Sequence, residues 1–358
     1  MSFGAYQPED QVLSSDALVA PMWDGDVTTL NTYYSYSLQE QNTAAGKFYL
    51  DIYKDNVNLP ASASAQPQFS IAYGHISGSG SAYFNALVPD KTPTRDVYGQ
   101  FRSLIYGDEN SSFQFGGSTY VSSDIIVISV ERARFKESFN PGSFFLRVTS
   151  GSNSIGLVDD STVTTTSTYI GTSRVYQLLS GSINVSTNVT TPSSSNYTVS
   201  GSYGLMIPDE GLVILNPRAL ALAPGALGGV GLLVYSGSSA DTATTFSSQG
   251  FTYNINNRMF YNMLNLNPTF SLQNYETVSS RYFFTRVKNA DFNYTSNPTV
   301  IDANGNLLYT QLIYNPQTFI TTVGMYNNAG DLLAVAKLNK PLVKDFTKEL
   351  LLRVKLDF

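Results

Sequence analysis

Apolar and polar positions alternate with the two-residue period of a β-strand over much of this chain. GKFYLDIYKD (46–55) alternates in this way, and FSIAYGH (69–75) reads as a second strand that the glycines of SGSGS (77–81) end. DIIVISVERARF (124–135) reads as one long strand; Ile125–Val130 is apolar at both parities, as in a central strand covered on both faces. PGS (141–143) then turns the chain into FFLRV (144–148), expected as a hairpin partner. Helical spacing predicts two helices. In RDVYGQFRSLIYG (95–107), Val97, Phe101, Leu104 and Ile105 fall on one face, and NNRMFYNMLNLN (256–267) reads as a shorter helix. The first 32 residues have little periodicity and carry Pro8 and Pro21, which predicts an extended arm packed on something else.

The clearest local pattern lies near the C-terminus. FITTVGMY (319–326) and LLAVAKL (332–338) are two strand runs joined by NNAGD (327–331), a β-hairpin by its turn chemistry. KELLLRVKLDF (348–358) alternates at Leu352, Val354, Leu356 and Phe358, which predicts a final strand built into a sheet. Residues 149–255 differ: they hold seven charged residues and long Ser/Thr tracts such as STVTTTSTYIGTS (161–173). Strand-like runs recur inside them, at RVYQLL (174–179), YGLMI (203–207), LVIL (212–215) and GLLVY (231–235). The expected class is mainly β with a few short helices (α+β): a β-sandwich-like framework with an inserted Ser/Thr-rich β-domain and a C-terminal β-hairpin plus final strand. The expected divisions are an arm (1–32), an N-terminal framework (33–148), the inserted domain (149–255) and a C-terminal framework (256–358).

Charge changes this picture. Only 13% of residues are Asp, Glu, Lys or Arg, about half the usual share, so solubility rests on Ser, Thr, Asn, Gln and Tyr. That balance suits a surface largely covered by partners. A net charge of −6 without a Lys/Arg cluster speaks against nucleic acid and against an anionic membrane as partners. The apolar stretch Ala219–Tyr235 is broken by Pro224 and four glycines, and reads as a buried loop–strand segment rather than a membrane span. No cysteine is present, which excludes disulfides and thiolate chemistry. Residues 1–20 lack the basic start and apolar run of a signal peptide, so the Asn-X-Ser/Thr triplets, Asn293 among them, are expected to reflect composition alone.

Candidate chemistry is sparse. His75 is the one histidine, at a strand end, and reads as a surface or hydrogen-bonded residue rather than a catalytic base. Asp108–Glu109, Asp159–Asp160 and Asp209–Glu210 are carboxylate pairs; neighbours in sequence beside Gly or Pro are turn signals before they are a glycosidase pair. GDENS (107–111) and DANGN (302–306) lack calcium-loop spacing, and no phosphate-loop or zinc-helix motif occurs. No catalytic residue, cofactor or metal is therefore expected. ERARFKE (131–137) is the densest charge cluster and has two readings, a solvated strand end or an interface ladder. The many aromatics have two as well, core filling or interface anchors.

Several stretches resemble a family of virion structural proteins of large contractile-tailed phages of marine cyanobacteria and related hosts. They are FSIAYGHISGSGS, YGQFRSLIYGDENSSFQFGG, IIVISVERARFKESFNPGSF, SGSYGLMIPDEGLVILNP and NPQTFITTVGMYNNAGDLLAVAKLNKPLVKDFTKELLLRVKLDF, all between Phe69 and Phe358. The hairpin and final strand are the most specific part and are similar to a shared attachment module of phage tail-fibre collar and baseplate proteins. The resemblance implies a non-enzymatic tail or baseplate component, made in the host cytoplasm and oligomeric in the virion. Its partners would be other phage virion proteins of the baseplate, tail or fibres. A neck, collar or capsid-decoration protein, a receptor-binding fibre protein and a depolymerase remain as alternatives. The candidate interface residues are Arg132, Arg134 and Lys136 in the charge cluster, and Phe319, Tyr326, Lys337, Lys340 and Phe358 in the C-terminal module.

Overall fold

The computed structural model of the chain describes residues 5–23, 28–35, 49–55, 65–80, 92–164, 168–193, 197–236 and 255–357. It is mostly β, 45% strand and 16% helical with five short helices among the described residues, in agreement with a mainly β, α+β class. The chain divides into a larger unit, Leu18–Glu276, and a smaller one built from Met1–Ala17 and Thr277–Phe358.

In chain order the strands are β1 (Gln11–Pro21), β2 (Thr29–Leu30), β3 (Leu50–Tyr53), β4 (Pro67–His75), β5 (Phe113–Gln114), β6 (Val121–Ser122), β7 (Asp124–Val130), β8 (Ser138–Phe139), β9 (Phe145–Ser150), β10 (Asn153–Asp159), β11 (Thr168–Ile170), β12 (Ser173–Asn184), β13 (Val189–Pro192), β14 (Gly204–Ile207), β15 (Leu212–Leu215), β16 (Phe270–Ser271), β17 (Gln273–Val287), β18 (Thr318–Tyr326), β19 (Leu332–Lys344) and β20 (Leu350–Asp357). Twelve of them form one sheet in the larger unit, in the order β2-β16-β9-β10-β12-β14-β15-β7-β4-β3, with β11 and β13 paired to β12 off that path. The sheet is antiparallel and curls into a half-barrel.

Both faces of this sheet are covered, and β7 shows why its sequence is apolar at every position. Ile126, Ile128 and Val130 enter the larger core with Leu146, Met206 and Phe270, while Ile125 and Val127 enter a second core on the opposite face. The helix Pro93–Tyr106 closes that second core. Proline sits in its first turn, where no amide hydrogen is needed, and Gly107 ends it in the left-handed region with its N–H on the Ser103 carbonyl at 3.0 Å. Its buried face is Val97, Tyr98 and Ile105, with Phe101 packed beside them; Leu104 is 51% exposed and not part of it. The helix Ile255–Asn265 supplies Phe260, Met263 and Leu264 to the larger core. At that core's centre, Trp23, Phe69 and Phe144 meet Phe270 edge-on at 5.3, 5.4 and 5.7 Å between ring centroids. Each such ring, fully buried, stabilises the fold by about 1.5–3 kcal/mol.

Several expectations change here. The run expected as one strand through 135 stops at Val130: Arg132–Phe135 is a helical turn, and Lys136 follows at a φ of 57°. FFLRV does not pair with that strand; β9 turns through Gly151 onto β10 and takes β16 on its other edge. Residues 149–255 do not form a sheet of their own. Their strands β10, β12, β14 and β15 continue the sheet of β7 and β9, and the larger unit also holds the separate two-stranded sheet β5–β6. GLLVY is not a strand; Val230 and Leu232 are buried in a loop whose amides donate to the Leu220 carbonyl at 3.0 and 3.1 Å. Among the described residues no helix is long and apolar enough to cross a membrane. The N-terminal arm is extended as expected, but β1 is a sheet strand, paired with β17 of the same chain.

In the smaller unit, β20 pairs with the second part of β17 from Ser280↔Asp357 to Val287↔Leu350. The hairpin β18–β19 forms as expected, with irregularities beside Thr321 and Tyr326. Its turn is fixed by Asn327, whose Oδ1 accepts the Ala329 and Asp331 amides at 3.0 and 2.8 Å, and by Gly330 at a φ of 87°. The core of this unit is small: Val287, Val323, Met325, Leu352 and Val354 are buried, with Phe283, Ile320, Leu338 and Leu356 partly so.

Candidate functional site

The hairpin's two faces follow from the strand period. Val323 and Met325 of β18, with Ala334, Ala336 and Leu338 of β19, face the small core. The opposite face pairs Thr322 with Lys337 and Gly324 with Val335 across the strands. Tyr326 lies along this outer face: a Cβ added at Gly324 would meet its ring at 3.0 Å and the Leu332 Cδ1 at 3.4 Å. Glycine there leaves room for the tyrosine to fold back over the sheet.

This outer face is apolar and open. Leu332, Leu333 and Val335 are 52, 69 and 59% exposed, and Tyr326 is 46% exposed. Phe319, near the start of β18, and Leu351 and Phe346 on neighbouring segments of the same unit are each 59% exposed. In the stretch between β17 and β18, Phe292, Tyr294, Tyr309 and Ile313 are exposed, and Tyr314 is 90% so. Both readings of the aromatics apply, and the largest share of exposed rings lies in the smaller unit. Phe69, Phe113, Phe115, Phe139, Phe144, Phe260 and Phe270 are wholly buried in the larger unit, whereas the smaller unit turns large rings outward.

The C-terminal candidates Phe319, Tyr326, Lys337 and Lys340 all lie exposed on the hairpin. Phe358 lies outside the described residues. Leu332, Leu333, Val335 and Leu351 carry the same exposure, and sequence reasoning misses them. For Leu332, Leu333 and Val335 the signal is present in LLAVA, which is apolar at both parities with the small alanines turned to the core. The charge cluster fares differently. Arg132 stacks on the Phe135 ring at 4.9 Å, and Lys136 pairs with Glu276 at 2.8 Å, which ties the helical turn to the start of β17. The Arg134 carbonyl accepts from Asn274 Nδ2 at 3.3 Å. Arg132 and Lys136 are therefore engaged within the chain, on a helical turn rather than a strand ladder.

The carboxylate pairs act as turn clamps. Asp159 is buried and accepts the amides of Gly142, Phe144 and Ser161 at 2.9, 3.3 and 3.2 Å, along with the Ser161 hydroxyl. Burial pushes its carboxyl above the usual carboxylate range, against the pull of those hydrogen bonds. Asp160 holds a different segment, accepting the Gln177 amide at 3.0 Å and the Thr164 hydroxyl at 3.2 Å. Asp209 pairs with Arg174 at 2.8 Å, and Asp108 caps its own turn through Asn110 and Ser111. His75 Nδ1 accepts the Ser77 amide at 3.1 Å and stands 3.0 Å from the Ser77 hydroxyl, which places its proton on Nε2. Its lone pair is thus committed to a local turn. Asp124, opposite it on β7, binds Ser122 Oγ at 3.1 Å and faces Arg218 at 3.7 Å. Burial holds the imidazole below its ordinary pKa. Among the described residues no group of three or more His, Asp or Glu is placed to hold a metal ion. Compared with protein-family models, curated proteins and solved structures, the chain matches none.

Proposed function

We propose that this chain is a non-enzymatic structural protein of a contractile-tailed phage virion, a tail baseplate component that docks onto other tail proteins and fibres through its C-terminal unit. The observation that carries this reading is the contrast within that unit: five buried core residues against an outer hairpin face of Tyr326, Leu332, Leu333 and Val335 open to solvent. An apolar surface of this kind is what an assembly part retains for its neighbour. The resemblance of the same hairpin and final strand to phage attachment modules supports the identity of the assembly. The engagement of His75, Asp159, Asp160 and Asp209 in local structural contacts supports a role without chemistry.

Immunogold electron microscopy of purified virions with an antibody against this chain tests the proposal. Gold at the distal tail tip is the expected outcome. Gold on the head or neck would replace the baseplate with a collar or decoration role. Unlabelled particles beside abundant soluble protein would overturn the structural reading altogether.

A further inference from the structure

Lys344 ends β19 with a wholly buried side chain. Its Nζ donates to three oxygens: the Asn289 carbonyl at 2.9 Å, the Asp345 carbonyl at 2.8 Å and Asn293 Oδ1 at 2.8 Å. All three acceptors are neutral. Buried lysines are rare unless paired, and a carboxylate is the usual partner; here a side-chain carboxamide stands in that place. The Asn293 Nδ2 donates to the same Asn289 carbonyl at 2.7 Å. One backbone oxygen therefore holds both the lysine amine and the amide nitrogen of Asn293, and the carboxamide oxygen rests on the amine.

A primary amine fixed against a carboxamide and shielded from water is the reactant pair of an amide exchange. We propose that Lys344 and Asn293 are a self-cross-linking pair that forms an intramolecular isopeptide bond. Nζ, after losing one proton from its ammonium form, adds to Cγ of Asn293. The attacking nitrogen sheds a second proton, the Cγ–Nδ2 bond breaks, and Nδ2 takes up both protons and leaves as ammonium. Net, one ammonium and one carboxamide become one secondary amide and one ammonium ion, so no oxidant, cofactor or second substrate enters. Holding the two groups together lowers the entropic cost of their reaction. The bond would tie the segment after β17 to the end of β19, adding a covalent brace to a unit whose apolar core is small. This inference is independent of the virion role.

The test is mass spectrometry of the denatured full chain, intact and after trypsin. The expected result is a chain lighter than its sequence by one ammonia, with a branched peptide joining Lys344 to Asn293 and no cleavage after Lys344. The variant Asn293→Ala should show its full sequence mass and normal cleavage there. A wild-type chain that keeps its full sequence mass after days under native conditions would overturn the inference. So would loss of ammonia at another asparagine with Lys344 in a linear peptide. The wild-type measurement decides the matter even where the variant fails to fold.

Discussion

Making the outer hairpin face polar should separate assembly from folding. Phe319, Leu333 and Val335 are 59, 69 and 59% exposed, so the isolated chain gains little from their apolar surface. Replacing all three with threonine keeps strand propensity, and the roughly two-fifths or less of each side chain already buried limits the cost in stability to about 1 kcal/mol per site. A docked partner would cover the part still open to water. Full burial of such a side chain is worth about 1.5–3 kcal/mol, so covering the remaining three-fifths of each gives about 3–5 kcal/mol for the three together. At about 1.4 kcal/mol per tenfold, that is a loss of about two to three and a half orders of magnitude in affinity. The assay is complementation of a phage lacking this chain, with the variant's incorporation into particles measured beside its thermal unfolding as a free protein. Met325→Ala is the contrast: it opens a cavity on the opposite face and should cost about 2–5 kcal/mol of stability in the free protein. Normal incorporation of the triple variant would refute the docking face. If the triple variant unfolds as readily as Met325→Ala, the face belongs to the fold and the argument fails.

Three further outcomes are expected from the larger unit. Asp159→Asn leaves a carboxamide with one acceptor oxygen facing three amides and a hydroxyl, so urea unfolding should shift by about 1–3 kcal/mol for each donor left unmade; an unchanged midpoint would remove the clamp assigned to it. His75, the one histidine, should titrate below 6.5 by NMR because burial disfavours its charged form. With its folded pKa depressed, the stability linked to it is fully present above 6.5 and is lost as pH falls from there through the folded value; a midpoint above 6.5 would contradict this. Gly181→Ala should destabilise the sheet by about 1–3 kcal/mol, measured by chemical unfolding, through overpacking. An added Cβ there would strike Val158 and stand 2.6 Å from the Thr191 carbonyl, at the point where β12 exchanges β10 for β13; a neutral substitution would mean the strands part readily there.

Local signals were legible in the sequence because the interactions that fix them are local. Pro93 and Gly107 bracket the first helix, and Asn327 with Gly330 makes the hairpin turn from its own side chain and backbone. Ile125–Val130 declared a doubly covered strand because each face of β7 has its own core. Non-local pairing was not legible. β15 pairs with β7 across more than eighty residues of chain, and composition suggested an inserted domain where the chain extends the sheet of β7. The polar character belongs to the exposed residues around β11, β13 and the far end of β12, while Val175, Leu178, Leu205, Met206 and Ile214 of the same stretch are core.

The candidate interface divides along the same line. Arg132, Arg134 and Lys136 stood out as charge in a chain with little of it, yet the ion that engages Lys136 is Glu276, far along the chain. A charged residue's partner depends on tertiary neighbours that no local window contains. The apolar face of the hairpin depends on strand parity alone. In LLAVA the bulk sits at Leu333 and Val335 while alanines occupy the core side, a reversal of the usual pattern in which large side chains turn inward. Over Leu333–Ala336, β19 turns its larger side chains outward and its alanines inward, and the alternation of residue size along that single strand is enough to reveal the exposed apolar face.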